Sequence, residues 1–272
     1  MSQGALEFAT HTLLPGATPL IISVPHAGTA LPPDLVPLLT PAALTLPDTD
    51  WHVDELYDFA PAMSVTMIVA RYSRYLIDLN RPPDDAALYS TAPQTGLCPT
   101  QSFAGEPLYL DARASLAKVE IARRRLKYWQ PYHDALQAKL DETRKRHGYA
   151  LLLDAHSIRS VVPRLFADRL PDINIGTYAG RSCSGRVNDT VRTRLAAAPR
   201  WSHVLDGRFK GGYITRHYGR PESGVHALQI ELAQCSYMDE SGMAYDAQRA
   251  APLRELLQSV VEALLTLPLG AS

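Results

Sequence analysis

Two histidines and one glutamate occupy positions at which a metal ion could be bound and used. His26 and His156 each follow a short apolar run that reads as a buried strand. Glu231 lies inside the apolar residues 228–232, where a carboxylate is costly to bury unless a cation or a proton neutralises it. Two histidines and a carboxylate are the ligand set of a catalytic zinc site, and a further carboxylate can accept a proton from water. Together they favour metal-assisted hydrolysis, although a single histidine after a strand is more often structural.

Two polar segments could bind an anionic substrate. Asn80 and Arg81 follow an apolar run and offer an amide and a planar guanidinium to a carboxylate, while an ordinary ion pair of Arg81 with Asp78 is an equally good interpretation. Residues 207–219 (GRFKGGYITRHYG) contain glycines that allow a ligand to approach the backbone closely. The cationic side chains of this segment are Arg208, Lys210, Arg216 and His217. The alternative for this segment is a flexible surface turn.

Composition limits the class of protein. The chain has 272 residues, of which 46% are hydrophobic, enough to bury a sizeable core. With 27 Lys and Arg against 28 Asp and Glu, it has no charge excess that would favour nucleic acid or an anionic membrane. Its apolar runs are too short to span a bilayer, and its first residues do not resemble a secretion signal. Three widely spaced cysteines predict no disulfide framework. We therefore expect a single domain, residues 1–272, in the cytoplasm, with no obligatory protein partner.

The order of predicted elements indicates an α/β protein, because short apolar strands alternate with helical patterns. Strands are predicted at residues 20–24, 65–70, 75–79, 149–154 and 225–232, and helices at about 50–60, 112–146, 187–195 and 253–265. Pro131 should kink or split the long helix. Residues 82–103 are rich in Pro, Gly and Thr and are predicted to form a long functional loop.

These motifs together resemble the N-formylglutamate amidohydrolase (N-formylglutamate deformylase) family over nearly the whole chain. The matching segments are residues 23–28 (SVPHAG), 48–57 (DTDWHVDELY), 73–83 (SRYLIDLNRPP), 105–109 (GEPLY), 153–158 (LDAHSI), 163–166 (PRLF), 170–177 (LPDINIGT), 207–219 and 226–232 (HALQIEL). The resemblance implies hydrolysis of N-formyl-L-glutamate to formate and L-glutamate, late in histidine breakdown.

The family in turn resembles the zinc carboxypeptidases and aspartoacylases. This second resemblance implies a three-layer αβα sandwich with a mixed central sheet, like that of the zinc exopeptidases. It also implies that His26 and His156 bind the metal, that Glu231 is the general base, and that Asn80 and Arg81 hold a substrate carboxylate. Arg216 or Arg208 would then meet the second carboxylate of N-formylglutamate.

One metal ligand is not identified by this resemblance. The relatives often have an acidic ligand three residues after the first histidine, but that position is Thr29 here. Asp50 is our first choice for the missing ligand, and Asp48, Asp54 and Glu55 are the alternatives. The expected cofactor is a divalent metal ion, with Zn²⁺ first, although Mn, Fe and Co can use the same ligands.

Two other functions are compatible with the same residues. A related hydrolase of N-acyl amino acids or N-acyl-aspartate would share the metal site and one carboxylate clamp but would accept a larger acyl group. A protein that binds carboxylates without turnover would keep the fold, although simple binding requires no general base next to the histidines.

Overall fold

A mixed seven-stranded β-sheet forms the centre of the protein in a computed structural model that describes residues 9–88, 95–111 and 116–269. Its strands are β1 (His11–Leu14), β2 (Leu20–Val24), β3 (Thr66–Ala70), β4 (Ala150–Ile158), β5 (Ile173–Gly176), β6 (His203–Leu205) and β7 (Val225–Ala233). The strand order is β1-β3-β2-β4-β7-β5-β6. β1 is antiparallel to β3 and β5 is antiparallel to β7, whereas the other neighbours are parallel. A separate antiparallel pair consists of β8 (Met238–Asp239) and β9 (Ala244–Tyr245).

Helices cover both faces of this sheet. They are α1 (Pro41–Leu44), α2 (Val53–Leu56), α3 (Lys118–Arg124), α4 (Gln130–His147), α5 (Gly185–Ala196), α6 (Tyr213–Tyr218) and α7 (Ala247–Leu265). The apolar side chains of α2, α5 and α7 pack on one face, and those of α4 and α6 pack on the other. The central strands β2, β4 and β7 are buried on both sides, which explains their nearly continuous apolar sequences. The predicted three-layer αβα sandwich with a mixed sheet is therefore confirmed.

Most of the predicted elements are present. The strands at 20–24, 65–70, 149–154 and 225–232 and the helices at 187–195 and 253–265 are confirmed, and several of them are longer than predicted. The short strands β1, β5 and β6 were not predicted. Two of these, β1 and β6, lie at the edges of the sheet, and each has only three or four residues to carry a pattern.

The strand predicted at residues 75–79 is wrong. The chain turns at Ser73, whose carbonyl accepts a hydrogen bond from the Leu76 amide at 2.9 Å and whose hydroxyl accepts one from the Tyr75 amide at 3.2 Å. The apolar side chains that follow are buried in the core without strand pairing. Burial alone produced the strand-like pattern.

Two predicted helices differ from the observed ones. The helix expected near residues 50–60 has only the single turn Val53–Leu56, because His52 directly before it has a left-handed backbone with φ of 60°. The first residues of the helix predicted from 112 lie outside the described residues. The predicted interruption by Pro131 is confirmed, since a π-helical turn at Arg125–Trp129 separates α3 from α4.

The two predicted loops differ in their outcome. Within the described part of residues 82–103, no helix or strand is formed. Residues 207–212 are also irregular, but Tyr213–Tyr218 form α6, so the interpretation of 207–219 as a flexible surface turn is wrong.

Across the described ranges, no helix has the length and apolar character needed to cross a membrane.

The close packing around Gly28 leads us to predict that a larger residue at this position destabilises the fold. A methyl group placed on Gly28 would lie 2.6 Å from the backbone of Arg71 and Tyr72, just beyond β3. We expect Gly28→Ala to lower the free energy of unfolding by about 1–3 kcal/mol, because the backbone must move to admit the methyl group. Urea denaturation of both proteins measures this difference. Gly185→Ala is the control, since no atom lies within 4 Å of its added methyl group. Equal stability of the two variants would contradict the prediction.

Candidate active site

The alternation of side chains along β4 and β7 places four polar residues on one face of the sheet. Leu152 and Ala227 pack in the core that faces α4. Residues two and four positions further along each strand point to the same face, so that Asp154 and His156 on β4 lie beside Gln229 and Glu231 on β7. Because the two strands are parallel, these polar positions come together at the carboxyl ends of both strands, where open α/β sheets commonly bind ligands.

His26, Asp50 and His156 form a buried group that could hold a metal ion. Each offers one ligand atom, and these atoms lie within 4.8 Å of one another. His26 lies two residues beyond the end of β2, and its carbonyl accepts a hydrogen bond from the Asp50 amide at 3.1 Å, which brings the aspartate next to the histidine. The backbone amide of Ser157 donates to Asp50 Oδ2 at 3.2 Å. The structure thus brings the three predicted ligands together.

Both histidines turn Nδ1 towards Asp50 and Nε2 towards a second carboxylate. Nδ1 of His156 is 2.8 Å from Asp50 Oδ2, and Nδ1 of His26 is 3.6 Å from the same oxygen. Nε2 of His26 is 2.8 Å from Asp78 Oδ1, and Nε2 of His156 is 3.1 Å from Asp154 Oδ2. A carboxylate behind each metal-binding histidine fixes its tautomer and its orientation. Among the described residues, buried Nδ1 of His26 has no hydrogen-bond partner, as expected of an atom reserved for a ligand.

The charges around these residues fit a divalent cation. Asp50, Asp78 and Asp154 are buried, and the buried guanidinium of Arg74 pairs with two of them, donating to Asp78 at 2.7 Å and to Asp50 at 3.4 Å. Three carboxylates against one guanidinium leave two negative charges. Without a metal, Asp154 and Asp50 overcome the opposing effect of burial and raise the pKa of His156 well above its usual range. A divalent ion would supply this positive charge in place of the protons.

The histidines and Arg74 also keep the neighbouring carboxylates ionised. Burial by itself would raise the pKa of Asp50, but His26 and His156 hold it well below the usual range. Burial opposes ionisation of Asp78 as well, and Arg74 with His26 lowers its pKa instead. Ionised carboxylates are the form in which Asp50 can bind a metal and Asp78 can accept from His26.

Glu231 is a further buried carboxyl group of the site and is set apart by its environment. Burial raises its pKa to about 8, an effect that Asp50 strengthens and His156 opposes. Its Oε2 accepts a hydrogen bond from Gln229 Nε2 at 2.9 Å. A carboxyl group with a pKa near neutrality, next to a possible metal centre, is suited to accept and return a proton.

The site opens into a cavity whose lining includes most of the residues predicted to bind substrate. The described residues that line it are His26, Arg74, Asn80, Arg81, Thr95, Phe103, His156, Ser157, Ile158, Leu165, Arg208, Phe209, Gly212, Gln229 and Glu231. Charged and polar side chains outnumber the aromatic and aliphatic ones in this lining, so the cavity suits a small charged molecule better than an apolar one.

Asn80 lines the cavity, but both ends of its carboxamide already have partners within the protein. Its Oδ1 accepts from the Ile214 amide at 2.8 Å, at the start of α6. Its Nδ2 lies 3.2 Å from Asp154 Oδ2 and 2.9 Å from His156 Nε2. Asn80 therefore joins α6 to the histidine site, and its contact with substrate stays a prediction.

The three predicted arginines differ in their position. Arg81 lines the cavity, and its Nε donates to the Thr95 carbonyl at 2.8 Å. Arg208 also lines it, and its Nε donates to the Leu165 carbonyl at 2.8 Å. Arg216 is not among the described lining residues. Its guanidinium donates to the carbonyls of Gly211 and Leu88 at 2.8 and 2.7 Å, because α6 turns this side chain towards the loops. The structure therefore favours Arg208 over Arg216 as a substrate ligand.

The acidic alternatives to Asp50 lie outside the metal-binding group. Asp48 accepts from the Phe103 amide at 2.7 Å. Asp54 is exposed, and Glu55 is an exposed side chain paired with His52 at 2.6 Å. Short-range spacing could not distinguish these four acids, because the choice depends on the distant residues that each one faces.

Sequence reasoning missed four residues of the site: Arg74, Asp154 and Gln229, and Asp78 in its contact with His26. Two of them carried a signal that could have been used. Asp154 lies two residues before His156, and Gln229 lies two residues before Glu231, which puts each pair on one face of a strand. Arg74 lies only four residues before Asp78, but the contact of Asp78 with His26 joins segments 52 residues apart and has no local pattern.

Comparison with known proteins agrees with this geometry. The profile of the family described as N-formylglutamate amidohydrolase matches residues 18–238. The chain is 51% identical to the N-formylglutamate deformylase of Pseudomonas aeruginosa over 92% of its length and 94% of that protein. It is 47% identical to the enzyme of the same name from Pseudomonas putida, covering 92% of this chain and 93% of that protein.

A solved structure has the same architecture. The crystal structure of N-formylglutamate amidohydrolase from Ralstonia eutropha superposes with a TM-score of 0.81 at 27% identity, covering 94% of this chain and 98% of that chain. The family profile, the sequence identity and the superposition all extend over the strands and loops that build the candidate site. This protein accordingly belongs to the N-formylglutamate amidohydrolase family.

Proposed function

We propose that this protein hydrolyses N-formyl-L-glutamate to formate and L-glutamate with the help of a divalent metal ion, for which zinc is the expected identity. The observation that carries the proposal is the convergence of His26, Asp50 and His156 beside the buried carboxyl group of Glu231. The names of the two Pseudomonas relatives support the substrate. The family resemblance also suggests a place late in histidine breakdown.

The cavity offers separate partners for the two carboxylates of the proposed substrate. Arg81 and Arg208 both line it, on segments far apart in the sequence. We assign Arg81 to the α-carboxylate, as the resemblance to carboxypeptidases implies, and Arg208 to the side-chain carboxylate. Guanidinium groups suit this task because they bind carboxylates with two parallel hydrogen bonds.

The reaction adds water across the formamide C–N bond: a C–O bond forms, the C–N bond breaks, and a proton moves to the leaving nitrogen. Bound by His26, Asp50 and His156, a divalent ion would lower the pKa of water and polarise the formyl carbonyl. Glu231 accepts the proton of the attacking water and later delivers it to the nitrogen of glutamate. Asp78 and Asp154 hold the histidines in place, and Arg74 keeps Asp78 ionised and also donates to Asp50.

Formate release from N-formylglutamate tests the proposal directly. We expect turnover by the purified protein, loss of most activity after chelation, and recovery when Zn²⁺, Mn²⁺ or Co²⁺ is added back. N-acetylglutamate and N-acetylaspartate should be much poorer substrates. Faster hydrolysis of an acetyl substrate would indicate an N-acyl amino-acid hydrolase instead. The absence of hydrolysis for the whole panel, in the presence of added metal, would contradict an enzymatic function.

Replacement of Glu231 shows whether this residue acts as the general base or as a metal ligand. We expect Glu231→Gln to retain its metal and to lose about 10²–10⁴-fold in kcat, because the amide keeps the shape but cannot accept the proton. Elemental analysis and steady-state kinetics on the same preparation give both quantities. Asp50→Asn is the matched comparison and should lose metal affinity as well as activity. If Glu231→Gln lost its metal, Glu231 would be a ligand and not the base.

The second carboxylate of the substrate distinguishes the two arginines of the 207–219 segment. We expect Arg208→Ala to lower kcat/KM for N-formylglutamate by about 10- to 150-fold, the effect of removing a charged hydrogen-bond partner. The loss should be much smaller for N-formylglutamine, which lacks the second charge. Arg216→Ala is the control and should affect both substrates alike. Equal losses on both substrates for Arg208→Ala would contradict this assignment.

A further inference from the structure

Gln229 connects the proposed general base to the glycine-containing loop at the cavity. Its side chain is buried, at 4% exposure, and lies on β7 two residues before Glu231. Its Oε1 accepts a hydrogen bond from the Gly212 amide at 2.7 Å. This bond fixes which end of the carboxamide faces the glutamate, so that Nε2 donates to Glu231 Oε2 at 2.9 Å.

The contact leaves the two oxygens of Glu231 in different environments. Oε2 is occupied by Gln229, whereas the described residues provide no hydrogen bond to Oε1. An amide donor favours the ionised carboxylate and prevents rotation of the group between equivalent positions. The carboxylate therefore keeps one oxygen towards the cavity, where the attacking water must lose its proton.

The position of Gly212 is itself determined by neighbouring residues. A methyl group on Gly212 would lie 2.3 Å from Asn80 Nδ2, so the loop can approach Asn80 this closely only with glycine. The next two amides, of Tyr213 and Ile214, donate to the backbone and side-chain oxygens of Asn80 at 3.3 and 2.8 Å. The Gly212 amide thus reaches Gln229 from a backbone that Asn80 holds in place.

From this geometry we infer that Gln229 is a positioning residue for the hydrolysis, acting through Glu231. The side-chain hydrogen bonds of Gln229 join Gly212 and Glu231 and do not involve the proposed metal ligands, so that its effect is to aim the carboxylate that takes the proton. The inference rests on the proposed function, and in particular on Glu231 as the base.

The primary test is Gln229→Met, which keeps the length of the side chain and removes both the amide donor and the acceptor. We expect kcat for N-formylglutamate to fall roughly 10- to 100-fold, with KM within about twofold of wild type and metal content unchanged. Gln234→Met is the matched control. Gln234 is an equally buried carboxamide just after β7 that donates to the Thr49 carbonyl and the Ser157 hydroxyl, not to Glu231.

A double-mutant cycle shows whether Gln229 acts through Glu231. In a Glu231→Gln background, adding Gln229→Met should change kcat by less than about threefold, because the base is already absent. A second independent fall of 10-fold or more would overturn the inference. Near-wild-type kcat in folded Gln229→Met, or a loss of metal in proportion to the loss of activity, would also overturn it.

Gln229→Asn decides the question if Gln229→Met does not fold. The shorter side chain remains polar, but its amide oxygen and nitrogen are withdrawn by one methylene from Gly212 and Glu231, so kcat should again fall with KM unchanged. Unaltered kcat in this variant would overturn the inference. Failure of the proposed function is distinguishable, since the wild-type protein would then release no formate, and failure of the base assignment would appear as full activity of Glu231→Gln.

Discussion

Arg74 lies between the carboxylates of Asp50 and Asp78, and through them it reaches both histidines of the candidate metal centre. The aromatic ring of Phe103 packs 4.6 Å from its guanidinium carbon, which shields the charge from water. Buried ions require partners, and removal of one member leaves the others uncompensated. The arrangement therefore couples the groups: His26 and Asp50 keep their positions because Asp78 and Arg74 do.

The sheet provides the second constraint. Adjacent parallel strands place side chains of equal register next to each other, and His156 is paired with Glu231 in this way. Apolar residues fill the face that α4 covers, until Asp154 and Gln229 interrupt the pattern near the strand ends. Polar groups can occupy these positions because each finds a hydrogen-bond partner there, so the cost of burying them is offset. The catalytic face is a continuation of the core.

Helix α6 shows how a loop and the sheet support one another. The first amides of this helix and the preceding Gly212 donate to Gln229 and Asn80, which are also contacts of Glu231 and of the histidine site. The same segment brings Arg208 to the cavity. Amides at the start of a helix have no partner within the helix, and here side chains of the site satisfy them. Residues 207–219 and the polar side chains of the site are consequently parts of one hydrogen-bonded unit.

The sequence by itself determined the class of fold, the family and the candidate residues whose chemistry is local. Continuous apolar runs predicted the central strands β2, β4 and β7, and the polar residues at their ends predicted His26, His156 and Glu231, because strand geometry places such residues at one edge of a sheet. These inferences depend only on residues near one another in the chain. They needed no knowledge of which elements meet.

Only the tertiary structure decided the contacts between distant segments. The partners that each acid faces single out Asp50 as the candidate metal ligand over Asp48, Asp54 and Glu55. The direction in which each side chain leaves the backbone favours Arg208 over Arg216 as the candidate substrate ligand. The apolar residues 75–79 were misread as a strand because burial in a turn and burial in a sheet select the same side chains. Pairings such as Arg74 with Asp50 and Gln229 with Gly212 arise from long-range packing, which no local pattern encodes.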